Sequence, residues 1–290
     1  MADENINQTK IPAKDGHLIQ TLSLGFDEAD KKAVIIISHG FSERAESYIE
    51  IAKELCQAGF SCLIPNQRGH GEPPEGSGKW HGIIQSYQSF IDDIEVITET
   101  AKKLSPNLPI VLYGHSMGGG IVLNTLLHMP KEKQSQYICT IIEAPWLGLH
   151  KELGGFARSL LSVLGRIAPN IRIKRKPNTE NLSSNAERAR GITEDEFYHG
   201  YLSFHMLNEI MDSCEYAMKK AQNLAIPTFL AVAEKEAVVN NDKMHEFAKK
   251  AGEIVKLKEY DSFHAIHNDN KRDAFCEDMV EFINSHLNRL

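Results

Sequence analysis

No run in this 290-residue sequence is apolar for long enough to cross a bilayer, and its start, "MADENINQTK", lacks the apolar core of a signal peptide. A soluble, cytoplasmic protein is expected, with peripheral membrane contact left open. Basic residues are not in excess. The formal charge of −7 argues against a general nucleic-acid binder. Cysteines are few: Cys56, Cys62, Cys139, Cys214 and Cys276 make an odd number with no C-x-x-C spacing. They are expected to be reduced, mostly buried thiols. Internal repeats and low-complexity segments are missing as well, so solenoids and fibrous arrays are excluded.

What is present is ordinary globular composition, 42% hydrophobic and 24% charged. The length suits one large α/β domain, or a core carrying a sizeable insertion. From about residue 33, short β-branched runs alternate with amphipathic segments, the pattern of a parallel sheet covered by helices. "AVIIIS" (33–38), "FSCLIP" (60–65), "PIVLYG" (109–114), "YICTIIEA" (137–144) and "PTFLAVA" (227–233) read as strands buried on both faces. Phe90, Ile94, Ile97, Ala101 and Leu104 recur at helical steps, 116–129 reads as a helix buried almost all round, and about 270–288 as an amphipathic one.

The alternation stops between roughly 146 and 222, where helix-like pieces and loops occur without a convincing strand. An all-helical insertion in such a chain is expected over the C-terminal edge of the sheet, where ligands bind. The expected organisation is therefore a core over 1–145 and 223–290 with a helical cap or lid over 146–222.

"VLYGHSMGGGIV" (111–122) carries the chemistry. Gly114-His115-Ser116-Met117-Gly118 fits G-x-S-x-G, with a strand before and a helix after. A turn sharp enough to lift Ser116 off the strand end crowds the positions two before and two after it, which explains the glycines. The helix that begins there aims N–H groups and its positive dipole end at developing negative charge. The bland reading is a glycine-rich turn in which Ser116 merely caps the helix.

A nucleophilic serine needs a base, and the base needs an orienting acid. In chain order the base comes last, and "KEYDSFHAIHND" (258–269) places His264 in a loop before the final helix, with His267 as a rival. The pair lacks a third ligand at metal-site spacing, so no metal is expected. After "PTFLAVA" the loop offers Glu234, Glu236 and Asp242. Glu236 stands where a strand-to-loop acid belongs, Asp242 reads as a helix N-terminal residue, and Glu143 is a candidate from a neighbouring strand. "SHGFSER" (38–44) follows the first buried strand, and its His39-Gly40 step is placed to form an oxyanion loop, naming the amides of Phe41 and Met117 as donors. His39, Gly40, His115 and Trp146 are expected to line the substrate site.

Other conspicuous segments read more plainly. In "NQRGHGEPPEG" (66–76), Arg68 and His70 are expected to brace the oxyanion loop. "RIKRKP" (172–177) is either a solvated basic face or a binder of anionic lipid headgroups. "GFARSLLSVLGRIAP" (155–169) is expected to pack on the core, with membrane contact or an acyl tunnel as the rarer alternatives.

With these residues in view, the chain resembles the monoacylglycerol lipase and lysophospholipase branch of the α/β-hydrolases, which is serine aminopeptidase-like, from about residue 15 to the end. "SHGFSERAESY", "GFSCLIPNQRGHG", "LYGHSMGGGIVL", "LSSNAER", "IPTFLAVAEKEAVVNNDKMHEF" and "YDSFHAIHNDNKRDAF" carry the resemblance. It implies Ser116 as nucleophile, His264 as base, Phe41 and Met117 as oxyanion donors, and a helical cap over an acyl site. The chain departs from the family in having Glu236, Asn240 and Asn66 where Asp is usual, and Ser42 where Gly is common. The implied activity is hydrolysis of the ester of a single-acyl-chain lipid, monoacylglycerol or lysophospholipid, through an acyl-enzyme and without a cofactor. A short-chain carboxylesterase or thioesterase, or a non-catalytic binding homologue, are the alternatives.

Overall fold

Two strands outside the alternating pattern open the fold. The computed structural model describes residues 6–27, 30–74, 79–175 and 179–288. β1 (Asn7–Pro12) and β2 (Leu18–Leu24) pair antiparallel. β1 is exposed along nearly its whole length, so it carries no apolar alternation by which a sequence could announce it.

β3 (Ala33–Ser38) is followed by α1 (Ile49–Gln57) and β4 (Phe60–Pro65). Then come α2 (Gln88–Leu104), β5 (Ile110–His115), α3 (Met117–His128), the short α4 (Lys131–Gln134) and β6 (Tyr137–Glu143). β3, β4 and β5 are buried at every position because helices cover both faces of the sheet. α2 buries Phe90, Ile94, Ile97 and Ala101 as its spacing requires, whereas Leu104, at its end, is exposed. α3 is buried over 117–127, as an apolar surface on all sides demands.

Between β6 and the next sheet strand lie α5 (Gly155–Ile167), β7 (Arg172–Lys174), α6 (Ala186–Thr193), β8 (Tyr201–Ser203) and α7 (Phe204–Lys220). The expectation of a strandless segment is corrected here: β7 and β8 pair antiparallel. Each has three residues, too few to show a period of two. α7 is rooted on the core, with Met206, Ile210, Cys214 and Ala217 in the same apolar cluster as α2 and α3. α5 overturns the expectation that its apolar stripe packs inward. It buries only Leu161 and Gly165, and Phe156, Leu160, Val163 and Ile167 face outward.

β9 (Thr228–Ala233), α8 (Asn241–Ala251), β10 (Val255–Tyr260) and α9 (Arg272–Leu287) complete the chain. The eight-stranded sheet runs β1-β2-β4-β3-β5-β6-β9-β10, antiparallel at β1/β2 and β2/β4 and parallel elsewhere. α2, α3, α7 and α8 pack on one face, and α1 and α9 on the other. All five cysteines are buried. The C-terminal ends of β3, β5 and β9 lead into the loops that carry the candidate chemistry.

Candidate active site

At the end of β5 the backbone turns through Ser116 with φ 53° and ψ −117°, a region that only glycine occupies without strain. Close approach explains its glycines. A Cβ on Gly118 would lie 2.0 Å from the Ser38 carbonyl oxygen, and one on Gly114 would lie 2.5 Å from that of Gly118. The turn is pinned on both sides. Ser116 N–H donates to the Glu143 carbonyl (2.9 Å), and its own carbonyl accepts from Trp146 (2.8 Å) and Gly120 (3.0 Å). The sharp turn frees Ser116 Oγ to leave the strand line.

That hydroxyl meets His264. Ser116 Oγ lies 2.9 Å from His264 Nε2, and His264 Nδ1 lies 2.7 Å from Glu236 Oε2. The other Glu236 oxygen accepts the amides of Val238 (2.7 Å) and Val239 (3.1 Å). Burial alone would raise the Glu236 carboxyl. The positive His264 and its hydrogen bond, with the two amides, outweigh burial and hold it below the usual value. Burial would likewise lower His264, but the Glu236 charge and hydrogen bond, then Glu43 and Glu143, raise it. One residue here escaped the sequence reading. Asp269 Oδ2 accepts from Ser262 Oγ (2.9 Å) and Phe263 N–H (2.7 Å), fixing the loop that carries His264.

The other acid candidates lie elsewhere. Glu234 and Asp242 are exposed, and Asn240 rather than Asp242 caps α8 through Lys243 N–H. Glu143 accepts from Tyr113 Oη and from the backbone and Nδ1 of His267, at 3.0 and 2.9 Å. His267 is thus tied to Glu143 and does not face Ser116. It lines a second, polar cavity of about 620 Å³ with Glu50, Arg188 and Arg272.

In the loop after β3, Gly40 N–H is taken by Glu43 Oε2 (2.8 Å) and Tyr48 Oη (3.1 Å). The next amide is that of Phe41, whose ring lines the cavity beside Ser116. Met117, buried, supplies the first amide of α3. His39 is not at the cavity. It is wholly buried, donates from Nδ1 to the Gly40 carbonyl (2.8 Å) and accepts the Gln67 amide at Nε2 (2.9 Å). That pairing requires a neutral ring, and burial pushes its pKa down to about 4. The Arg68 reading is corrected too. Arg68 bonds Asp93 on α2 (2.7 Å) and Asp15 (2.5 Å), and so ties the β1–β2 hairpin to the core. His70 does touch the loop, edge-on to Phe41 at 5.6 Å.

Beneath the serine lies a second buried network. Tyr48 Oη donates to Glu43 (2.6 Å), so the His115 Nδ1 at 2.7 Å donates to Tyr48. His115 Nε2 is buried without a partner. Among the described residues, His115, Glu143 and His267 form the one group whose donor atoms gather as metal ligands would, within 4.8 Å. Glu143 and His267 Nδ1 bond each other, while the buried His115 Nε2 has no partner.

A cavity of about 530 Å³ opens on Ser116 and His264, a size that takes one small ligand. Gly40, Phe41 and His115 line it from the loop after β3 and the end of β5, and Trp146, Leu149, Leu153, Ile192 and Leu202 line it from the segment between β6 and β9. An activated hydroxyl at the foot of an apolar cleft is suited to attack on an acyl carbonyl.

A family model described as serine aminopeptidase, S33 (Hydrolase_4), matches residues 29–271. A monoacylglycerol lipase of Mycolicibacterium smegmatis is 25% identical over 263 residues, covering 90% of this chain and 91% of that protein. A lysophospholipase of Escherichia coli is 26% identical over 281 residues, covering 87% and 81%. A solved structure of a soluble variant of the Saccharomyces cerevisiae monoglyceride lipase, in complex with a substrate analog, superposes with a TM-score of 0.84 at 19% identity, covering 99% of this chain and 97% of that one. At that identity the likeness is one of fold, the α/β-hydrolase fold.

Proposed function

The chain belongs to the serine aminopeptidase (S33) family and is a serine hydrolase of the α/β-hydrolase fold; on that premise we propose that it cleaves the ester of a single-chain lipid, a monoacylglycerol or a lysophospholipid. Ser116 Oγ attacks the ester carbonyl while His264 Nε2 takes its proton. Glu236 holds His264 in the Nδ1–H tautomer and stabilises the imidazolium. The amides of Phe41 and Met117 receive the oxyanion, preorganised for charge that exists only in the transition state. His264 returns the proton to the departing alcohol, and water, activated by the same ring, releases the fatty acid from Ser116.

The observation that carries this reading is the line of hydrogen bonds Ser116–His264–Glu236 at the foot of the apolar cavity. The segment 146–222 acts as the cap that selects the acyl chain, with α7 as its root. Its outer face meets the lipid surface. Six of the nine exposed large apolar side chains among the described residues lie between Phe156 and Ile173, beside the exposed cations Arg166, Lys174 and Arg175.

The test is fluorophosphonate labelling read by intact mass, with hydrolysis of a monoacylglycerol series of increasing chain length. Wild type labels and prefers long chains, and Ser116→Ala does neither while keeping its fold. Turnover confined to short esters would move the reading to a carboxylesterase or thioesterase. An unreactive wild type would leave a non-catalytic binding protein.

A further inference from the structure

We infer that the cap stretch 195–200 and the loop 40–44 move as one unit, in which Ser42 and Arg44 are positioning residues that set the Phe41 amide according to where the cap sits. The inference rests on the oxyanion role proposed above for Phe41.

Three contacts carry it. Ser42 has φ +67°, a left-handed conformation that a non-glycine residue adopts only under constraint. Its hydroxyl accepts the Gly200 N–H at 3.1 Å, and both residues are buried. Beside it, His199 stands edge-on to the Phe41 ring at 5.7 Å. On the far side, Arg44 bonds Asp195 at 2.8 Å and lies 4.8 Å over the Phe197 ring. Residues 41, 42 and 44 are therefore each bound by a residue of 195–200. The core side holds the same loop at Gly40, whose amide donates to Glu43 and Tyr48, and at Phe41, which meets His70 edge-on.

The cap end of the tether is firm. The Arg175 amide donates to the Gly200 carbonyl at 2.9 Å, and a Cβ on Gly200 would lie 2.2 Å from the Arg175 carbonyl oxygen. Gly200 is thus held to the antiparallel pair β7–β8, whose residues Ile173 and Leu202 line the cavity. A cap displaced by a poorly fitting acyl chain pulls on Ser42 and tilts the neighbouring amide. Acyl fit is in this way read at the oxyanion as well as in the apolar wall, so that a mismatch lowers kcat rather than raising KM.

Ser42→Gly, Ser42→Ala and Asp195→Ala separate this linkage from a purely structural role. The readouts are p-nitrophenyl butyrate kinetics, inhibition by a trifluoromethyl ketone, whose hemiketal places charge at the oxyanion, and the thermal midpoint. In all three variants kcat is expected to fall about tenfold with KM little changed, and trifluoromethyl ketone affinity to fall in parallel. Ser42→Gly is expected to melt above Ser42→Ala, since both lose the hydrogen bond but only glycine relieves the left-handed strain. Unchanged kcat in Ser42→Gly and Ser42→Ala, or losses that track the midpoint instead of inhibitor affinity, would overturn the linkage. A wild type that neither hydrolyses the ester nor labels with the fluorophosphonate removes the underlying reading, and this inference with it.

Discussion

Glu236 holds His264 with one carboxylate oxygen, at 2.7 Å, and anchors itself on the amides of Val238 and Val239 with the other. The two amides fix the longer side chain, so the extra methylene over aspartate does not leave the acid loose. Glu236→Gln keeps the shape but offers Nδ1 no carboxylate, and it is expected to lower kcat by about three to four powers of ten in steady-state ester hydrolysis. Glu236→Asp keeps the charge and is expected to lose much less. Equal activity of wild type and Glu236→Gln would remove Glu236 from its role.

The raised pKa of His264 fixes the pH dependence of catalysis. The base must be neutral to take the Ser116 proton, so kcat/KM is expected to climb with pH along a limb whose apparent pKa lies above 6.5. In Glu236→Gln the carboxylate that raises the ring is gone, and the residual activity is expected to rise at lower pH. A pH–rate profile of both proteins decides this.

Stability follows a different curve. His39, held at about 4, and His199, at about 3, are lowered chiefly by burial, and His70 is lowered in the same way. The unfolded chain binds protons at these residues first, so each costs up to about 1.4 kcal/mol per pH unit as pH falls below about 6.5. His264 and His267 have the opposite sign: their raised pKa values contribute stability that is complete below about 6.5 and is lost as pH rises through them. The thermal midpoint is therefore expected to peak near pH 6.5, below the rising limb of activity. A midpoint that rises steadily from pH 5 to pH 8 would contradict this balance.

Gly118 sits against backbone, which cannot step aside as a side chain can. Gly118→Ala is expected to cost about 1–3 kcal/mol or more in a urea titration, with activity lost in the protein that remains folded.

The outward stripe of α5 separates lipid contact from chemistry. Phe156→Asp combined with Ile167→Asp is expected to abolish sedimentation with anionic phospholipid vesicles and to leave hydrolysis of a dissolved short ester within about twofold of wild type. Undiminished vesicle binding in the double variant would move the contact to another face.

What the sequence made legible follows from how strongly each feature is over-determined. The buried strands, α2 and the G-x-S-x-G turn announce themselves by runs, periods or glycines that one physical reason demands. β7 and β8 are too short for a period, and exposed β1 has none. The place of His39 is not legible, because a histidine after a strand reads the same whether it faces substrate or joins two loops; only its two bonded nitrogens distinguish these. The role of Arg68 is hidden too, because its partners Asp15 and Asp93 lie 53 and 25 residues away along the chain. The α5 stripe has the periodicity of a core-facing helix. Periodicity states that a face is apolar and not what it meets.

The five buried thiols give the folded protein a chemical silence. Burial hides all five from an alkylating reagent; it also pushes Cys139 and Cys214 up to about 12 and raises Cys276, so little thiolate exists at those three at neutral pH. Alkylation then counts only molecules that have opened, while a fluorophosphonate reports on those still closed around Ser116. The two reagents together time the loss of the fold and the loss of the site in a single sample.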